Sequence, residues 1–137
     1  MIMLDTNVLI DLIEEDDVWF NWSATAVARA AKSELVTVSP VVIGELASGG
    51  RILPAMVSLL QQLDIMIWQL DAPAAQLAGE AHRAYRQAGG KREKLLSDFL
   101  IGGHAAAEDA TLITRDPRRY RAYFPQLPLI TPETEHG

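Results

Sequence analysis

Four acidic residues, far apart in the chain, each stand near a junction between a strand and a helix. Asp5 ends the apolar run Met1 to Leu4, and Glu45 lies on the segment after the β-branched run Leu35 to Val38. Asp98 opens a segment that leads into Thr111 to Thr114, and Asp116 lies two residues beyond that run. In an open parallel sheet, ligands bind beyond the carboxyl ends of the strands, so all four addresses converge if those ends are neighbours. Crowded carboxylates repel one another, and some stay protonated unless a cation joins them. All-oxygen, anionic ligation in a chain with no cysteine suits a hard divalent ion, Mg²⁺ or Mn²⁺, and does not suit zinc. Such an ion polarises a phosphoryl oxygen and lowers the pKa of a bound water. A pair of ions stabilises both the attacking and the leaving oxygens.

A plainer reading stands beside this one, because Asp, Ser, Thr and Asn at such junctions are routinely helix N-caps. Asp116 before Pro117 has that form, and so does Asp5 with Thr6 and Asn7. Asp71 before Ala72-Pro73 has the same local grammar and is assigned capping only. Glu45 shifts the balance. Glutamate is no cap, and in Val41-Val42-Ile43-Gly44-Glu45-Leu46-Ala47 it interrupts an apolar helix without a basic residue within four positions. A half-buried acid there costs several kcal/mol unless it is paired or bound to a metal.

The elements that must position these acids follow from period and punctuation. Val8 to Glu15 reads as a short helix. Val18, Trp22, Ala26, Val27 and Ala30 recur at helical spacing, which predicts a helix over 18–32. Ser39-Pro40, a cap followed by proline at the first helical position, opens a helix to Ala47 that Gly49-Gly50 ends. Ile52 to Leu63 predicts a further helix, Ile65 to Trp68 a short strand, and Ala72 to Ala88 an Ala-rich helix that runs into Gly89-Gly90. An exposed loop over 91–94, a helix over 97–107, a short helix opened by Asp116-Pro117 and a strand over 127–130 complete the pattern. Strands alternating with helices imply an α/β domain with a parallel sheet covered on both faces. No internal repeat, linker or low-complexity tract interrupts it, which implies one domain over 1–137.

With 137 residues, 49% of them apolar and 22% charged, the chain has enough hydrophobic material for one folded core and is too apolar for a disordered acidic polymer. The absence of cysteine excludes a disulfide scaffold, an iron–sulfur site and a zinc finger, and is compatible with a reducing cytosol. No apolar stretch approaches the roughly 20 residues that span a bilayer, and no leader precedes Asp5, so the expectation is a soluble, unprocessed, cytoplasmic chain. The net charge of −6 hides a segregation: residues 1–82 hold 11 acids and 3 bases, whereas residues 83–121 hold 5 acids and 9 bases. The acidic balance argues against a nonspecific polyanion binder, yet the basic segment can meet phosphates locally.

Leu4-Asp5-Thr6-Asn7-Val8-Leu9-Ile10, Gly44-Glu45-Leu46, Ser97-Asp98-Phe99-Leu100-Ile101-Gly102-Gly103-His104-Ala105 and Leu112-Ile113-Thr114-Arg115-Asp116 together resemble the ordered motifs of PIN-domain ribonucleases. The compact length most resembles VapC, the toxin of VapBC toxin–antitoxin pairs, and the likeness covers essentially the whole chain. The resemblance implies a three-layer α/β/α domain with a central, mostly parallel sheet and a Mg²⁺- or Mn²⁺-dependent endoribonuclease. In that reading Asp5, Glu45, Asp98 and Asp116 hold the metal and activate water. Thr6 and Asn7 match the polar positions beside the first acid and Thr114 the hydroxyl residue before the last, as contacts behind the metal ligands. The resemblance also implies a VapB-like antitoxin partner that covers the site, and a homodimer or toxin–antitoxin hetero-oligomer. Gly102-Gly103 depart from the alanines that relatives often carry. Each costs about 1 kcal/mol of helix propensity, and the pair is expected to permit close helix–sheet packing.

Among the remaining candidates, His82, His104 and His136 show no ligand spacing, and His104 reads as core or surface. The bases Arg83, Arg86, Lys91, Arg92 and Lys94, and the cluster Arg115, Arg118, Arg119 and Arg121, flank Asp98 and Asp116. They read equally as RNA contacts or as a solvated face, with Arg86, Lys91, Arg92 and Arg115 the RNA candidates and Arg115 the first to test. Trp19 and Trp22 read as core or as an apolar interface. An aspartyl phosphatase would want a second Asp where Asn7 stands, and a receiver domain a lysine where Thr131 stands. A degenerate PIN domain surviving as an interaction module would have lost a metal ligand.

Overall fold

The computed structural model describes residues 1–90 and 96–133. Its centre is a five-stranded sheet in the order β3-β2-β1-β4-β5, with every neighbouring pair parallel. The strands are β1 (Ile2–Leu4), β2 (Val36–Val38), β3 (Met66–Ile67), β4 (Thr111–Ile113) and β5 (Leu129–Ile130). Between them run α1 (Thr6–Glu14), α2 (Phe20–Ala31), α3 (Pro40–Ser48), α4 (Leu53–Gln62), α5 (Ala72–Gln87), α6 (Leu96–Ala107) and α7 (Arg118–Tyr123). With the right-handed crossovers that parallel strands take, the strand order places α1 to α4 on one face of the sheet and α5 to α7 on the other, which makes three layers. The expected α/β/α architecture is the one found. Among the described residues no helix is long and apolar enough to cross a membrane.

Strand β1 lies between β2 and β4 and is buried on both faces, which is why Ile2, Met3 and Leu4 form an unbroken apolar run with no polar alternation. From β1 the chain crosses to β2 on one side, and the later return from β3 brings β4 to the other. The crevice outside the ends of β1 and β4 is therefore the point where the winding reverses, the usual ligand position in a doubly wound sheet. Register brings the ends level: Leu4 pairs with Ile113, and the Asp5 amide donates to the Ile113 carbonyl at 2.9 Å.

Local chemistry sets the helix starts. Ser39 Oγ accepts from the Val41 amide at 3.2 Å and Pro40 begins α3, as its sequence predicts. Asp71 accepts from the Ala74 amide at 3.1 Å, the capping role expected of it. The second helix starts at Phe20 and not at Val18, because Asp16 Oδ1 accepts from the amides of Val18 (2.9 Å) and Trp19 (2.8 Å) and holds them in a turn. The last strand shortens to Leu129–Ile130.

The two glycines of α6 serve helix–helix packing, a correction to the expected helix–sheet contact. A Cβ on Gly103 would stand 2.6 Å from the Ala78 backbone nitrogen of α5, and one on Gly102 would stand 2.5 Å from the Phe124 ring. These close approaches press α6 against α5 and the end of α7. Phe99, buried on α6, meets Tyr85 and Tyr123 at centroid distances of 5.5 and 5.4 Å, so the same contact carries an aromatic cluster. His104 is fully buried and donates from Nε2 to the Gln69 carbonyl at 3.0 Å; burial lowers its pKa, so it is a neutral core residue.

Candidate metal and phosphodiester site

At the carboxyl ends of β1 and β4 the chain forms a cleft of about 240 Å³ lined by Asp5, Glu45, Asp98 and Asp116 together with Thr6, Asn7, Ile10, Arg119 and Tyr120. All four acids that the sequence singles out are thus brought together. Each arrives by a different route.

Asp5 is the residue after β1 and the N-cap of α1, its Oδ1 accepting from the Thr6 amide at 2.8 Å. Its other oxygen accepts from Thr114 Oγ1 at 2.7 Å, a bond across the β1–β4 seam, and from Asn7 Nδ2 at 3.5 Å. Asp5 therefore caps a helix and faces the cleft at once, so the two sequence readings do not compete. Glu45 reaches over from α3, half-buried. Its two oxygens accept from Thr6 Oγ1 and from Ser97 Oγ (3.1 Å), which answers how an acid survives on an apolar helix with no basic neighbour. Asp98, in the first turn of α6, is ion-paired with the Arg119 guanidinium. Asp116 is exposed, and its amide donates to Thr114 Oγ1 at 3.0 Å. The expected cap is not formed: α7 starts after Pro117 without a side-chain hydrogen bond, leaving the Asp116 carboxylate free of that duty.

Electrostatics within the cleft follow from burial and crowding. Burial pushes the Asp5 carboxyl up from 3.8 to about 6; the Thr114 hydroxyl opposes the shift, and the neighbouring Asp98 charge adds to it. Asp98 is also raised, chiefly by burial, with Arg119 pulling it back and Glu45 and Asp116 pushing it further up. Tyr120, on α7, is buried beneath the acids. Burial and the charges of Asp5 and Asp98 hold its hydroxyl in the protonated form, and it reaches towards the Asp5 carboxylate without a well-formed hydrogen bond. The cleft thus holds an excess of acceptors that would be stabilised by an added cation.

The donor set fits Mg²⁺ or Mn²⁺ in kind: four carboxylates and several hydroxyls, with no thiol and no imidazole lining the cleft. Among the described residues no three acidic or imidazole groups form a closed coordination sphere. Asp98 is turned to Arg119, and Glu45 is held by Thr6 and Ser97. The guanidinium supplies the positive charge to which Asp98 is turned.

Of the sequence-derived RNA candidates, Lys91 and Arg92 lie outside the described residues, as do Lys94, the 91–94 loop and His136. Arg86 is exposed on α5, away from the cleft lining. Arg115 does not line the cleft either. It donates from Nε to Asp11 Oδ2 at 2.7 Å and from Nη2 to Asp11 Oδ1 at 2.9 Å, and its guanidinium lies 5.2 Å from the centre of the Trp19 ring. Trp19 and Trp22 meet edge to face at 6.4 Å beside it, with Trp22 packed on the core. Among the described residues the base that lines the cleft is Arg119. Sequence reasoning named its cluster and missed its place, along with Tyr120, Ser97 and the fully buried Asp11. Arg119 and Tyr120 lie in the first turn of the helix directly after Asp116 and Pro117, so nearness in sequence to Asp116 was the only signal.

The PIN domain family model matches residues 2–125, and the chain belongs to that family. Similar solved structures include a toxin–antitoxin complex from Klebsiella pneumoniae, at 22% identity and a TM-score of 0.67 over 96% of this chain and 98% of that one. VapBC2 of Rickettsia felis bound to a promoter DNA fragment matches at 27% identity and a TM-score of 0.72, over 96% of this chain and 98% of that one. FitAcB of Neisseria gonorrhoeae matches at 24% and 0.69, over 98% and 100%. VapBC-1 of nontypeable Haemophilus influenzae matches at 20% and 0.70, over 96% and 98%. Comparison with curated protein sequences gives no match.

Proposed function

We propose that this chain, as a single PIN unit over 1–137, is a Mg²⁺- or Mn²⁺-dependent endoribonuclease and the VapC-type toxin of a toxin–antitoxin pair. The observation that carries the reading is the meeting of Asp5, Glu45, Asp98 and Asp116 in one cleft at the winding reversal of the sheet. Structural likeness to VapBC2 of Rickettsia felis at 27% identity supports the toxin assignment and a VapB-like antitoxin as partner, in a hetero-oligomer or beside a homodimer, in the cytoplasm.

The four carboxylates would hold the ion. Bound there, it polarises the phosphoryl oxygen and lowers the pKa of a water for in-line attack. The protein's own part is orientation and charge. Thr114 and Asn7 aim Asp5, while Thr6 and Ser97 aim Glu45, so neither ligand loses side-chain freedom on binding. Asp5 keeps a proton up to about pH 6 in the metal-free protein and would have to be ionised to hold the cation. Asp98, paired with Arg119 in the metal-free protein, would share its charge with the ion, and the Arg119 guanidinium at the cleft would be placed to meet phosphodiester charge. Arg86, Lys91 and Arg92 act on flanking phosphates, while Arg115 is assigned to the scaffold.

Incubation of the purified chain with RNA and Mn²⁺ or Mg²⁺ tests this. Cleavage that EDTA stops and Asp98→Asn removes is expected; undiminished cleavage by Asp98→Asn overturns the role of that acid. The Asp98–Arg119 pair favours, as a second reading, a PIN module that binds protein without metal. Calorimetric titration separates the two, because such a module takes up no divalent ion at millimolar concentration.

A further inference from the structure

Beside the acidic cleft, and sharing Asp116 and Arg119 with it, runs a groove of about 430 Å³ whose other walls are Tyr85, Arg118, Ala122 and Tyr123. A polynucleotide cut at an acidic site must extend past it, and its next phosphates are repelled by the same carboxylates that hold the metal. They need a cation outside the cleft. The other arginines on or just before α7 are committed: Arg115 to Asp11, Arg119 to Asp98 and Arg121 to Glu133. Arg118 is exposed, lines the groove, and has no carboxylate partner among the described residues. The same groove is lined by Tyr85 and Tyr123, which stand edge to face with centroids 5.3 Å apart, both half-buried. A cation and aromatic rings lining one groove are the general pattern of single-strand binding.

We propose that this groove is the flanking subsite of the nuclease: it takes the segment of a single-stranded RNA that leaves the cleft on the Asp116 side. Arg118 binds the adjacent phosphate, and the Tyr85–Tyr123 wall receives its nucleoside. The inference rests on the ribonuclease reading and assigns the path of that substrate. It also bears on the charge segregation of the sequence, since four of the six groove residues, Tyr85, Asp116, Arg118 and Arg119, come from the basic 83–121 segment.

The test is the salt dependence of binding of a labelled oligoribonucleotide, in a Glu45→Gln background that leaves the groove intact and the strand uncut. For single strands the slope of log affinity against log salt is about 0.7 per phosphate neutralised. Arg118→Ala is expected to lower the slope by about that amount and to weaken binding several-fold at low salt. Arg121→Ala, the same charge change on the same helix outside the groove, should leave the slope unchanged. Equal slopes for the two variants overturn the subsite, as does an unaltered slope for Arg118→Ala. Displacement of the RNA by a polyglutamate peptide of equal length at equal concentration also overturns it, in favour of an acidic protein ligand. Cleavage by the unmutated chain is followed in parallel: if RNA is cut with Mn²⁺ while Arg118→Ala binds normally, the groove assignment fails and the nuclease reading stands.

Discussion

The Arg115 guanidinium closes a two-bond fork on the carboxylate of Asp11, at 2.7 and 2.9 Å, and so ties the loop after β4 to the helix after β1. Asp11 is fully buried and also accepts from Ser23 Oγ at 2.5 Å, while the Arg115 amide donates to Asn7 Oδ1 at 3.3 Å. The two acids Asp5 and Asp116 are held at their spacing from behind by this brace. Arg115→Ala strands a buried carboxylate and should cost about 3–5 kcal/mol in denaturant unfolding. Arg115→Lys should recover only part of that, because an ammonium cannot span both oxygens. A double Asp11→Leu, Arg115→Leu variant should be more stable than Arg115→Ala; if it is less stable, charge pairing is not what the brace contributes.

Gly103→Ala places a methyl group 2.6 Å from rigid backbone of α5, so the gain in helix propensity is outweighed by overpacking and a net loss of about 1–3 kcal/mol is expected. Gly44→Ala is the matched control. Its Cβ meets nothing within 4 Å, and the substitution should stabilise α3 by about 0.5–1 kcal/mol. Thermal melts of the two variants should move in opposite directions.

The raised carboxyl of Asp5 makes the metal-free protein less stable at neutral than at mildly acid pH. Its unfolded value is 3.8 and its folded value about 6, so between those values the native state binds more protons than the unfolded chain. This group's contribution is full below pH 3.8, declines as pH rises, and is lost above about 6, a span on the order of 3 kcal/mol. Asp5→Asn should therefore flatten the fall in stability across that window. Chemical denaturation at several pH values in EDTA reads it directly, and an identical fall in the variant would count against the assignment.

Divalent ions should act in the reverse sense. Binding to the native state alone raises the melting temperature in proportion to the logarithm of free ion. The rise should be larger at pH 7.5 than at pH 5.5, where protons compete for Asp5. Asp98→Asn and Glu45→Gln should each reduce it, and a rise that survives both substitutions would point to a site elsewhere.

Tyr120→Phe removes a buried hydroxyl that has no full partner, so the metal-free protein should be unchanged or gain up to about 1 kcal/mol. A loss of more than that in a urea titration would reveal a strong bond from this hydroxyl to the acids.

The strands, the helix order and the four acids were legible because each leaves a local trace. A parallel strand buried on both faces reads as an apolar or β-branched run, as Ile2–Leu4 and Val36–Val38 do, and a helix start needs a cap such as Ser39 or Asp71. Glu45 was conspicuous because an acid on an apolar helix demands a compensating group. Local grammar failed where side chains answer to distant partners. Nothing near Arg115 in sequence distinguishes it from Arg119; one is drawn into the fold by Asp11 and Trp19, the other into the cleft by Asp98. The Gly102–Gly103 pair announced a close approach without saying to what, because the partner, Ala78, is supplied by the packing of another helix.

By itself the chain's order of residues determined an alternating α/β pattern and which carboxylates stand beside strand ends, since both depend on hydrophobic period and on caps a few residues long. Only the tertiary structure decided that β1 and β4 lie side by side, that Thr6 and Ser97 receive Glu45, and that Arg119 pairs with Asp98 while Arg115 pairs with Asp11. Those outcomes depend on distances between segments up to a hundred residues apart, and such distances are set by sheet register and helix packing rather than by any neighbour in sequence.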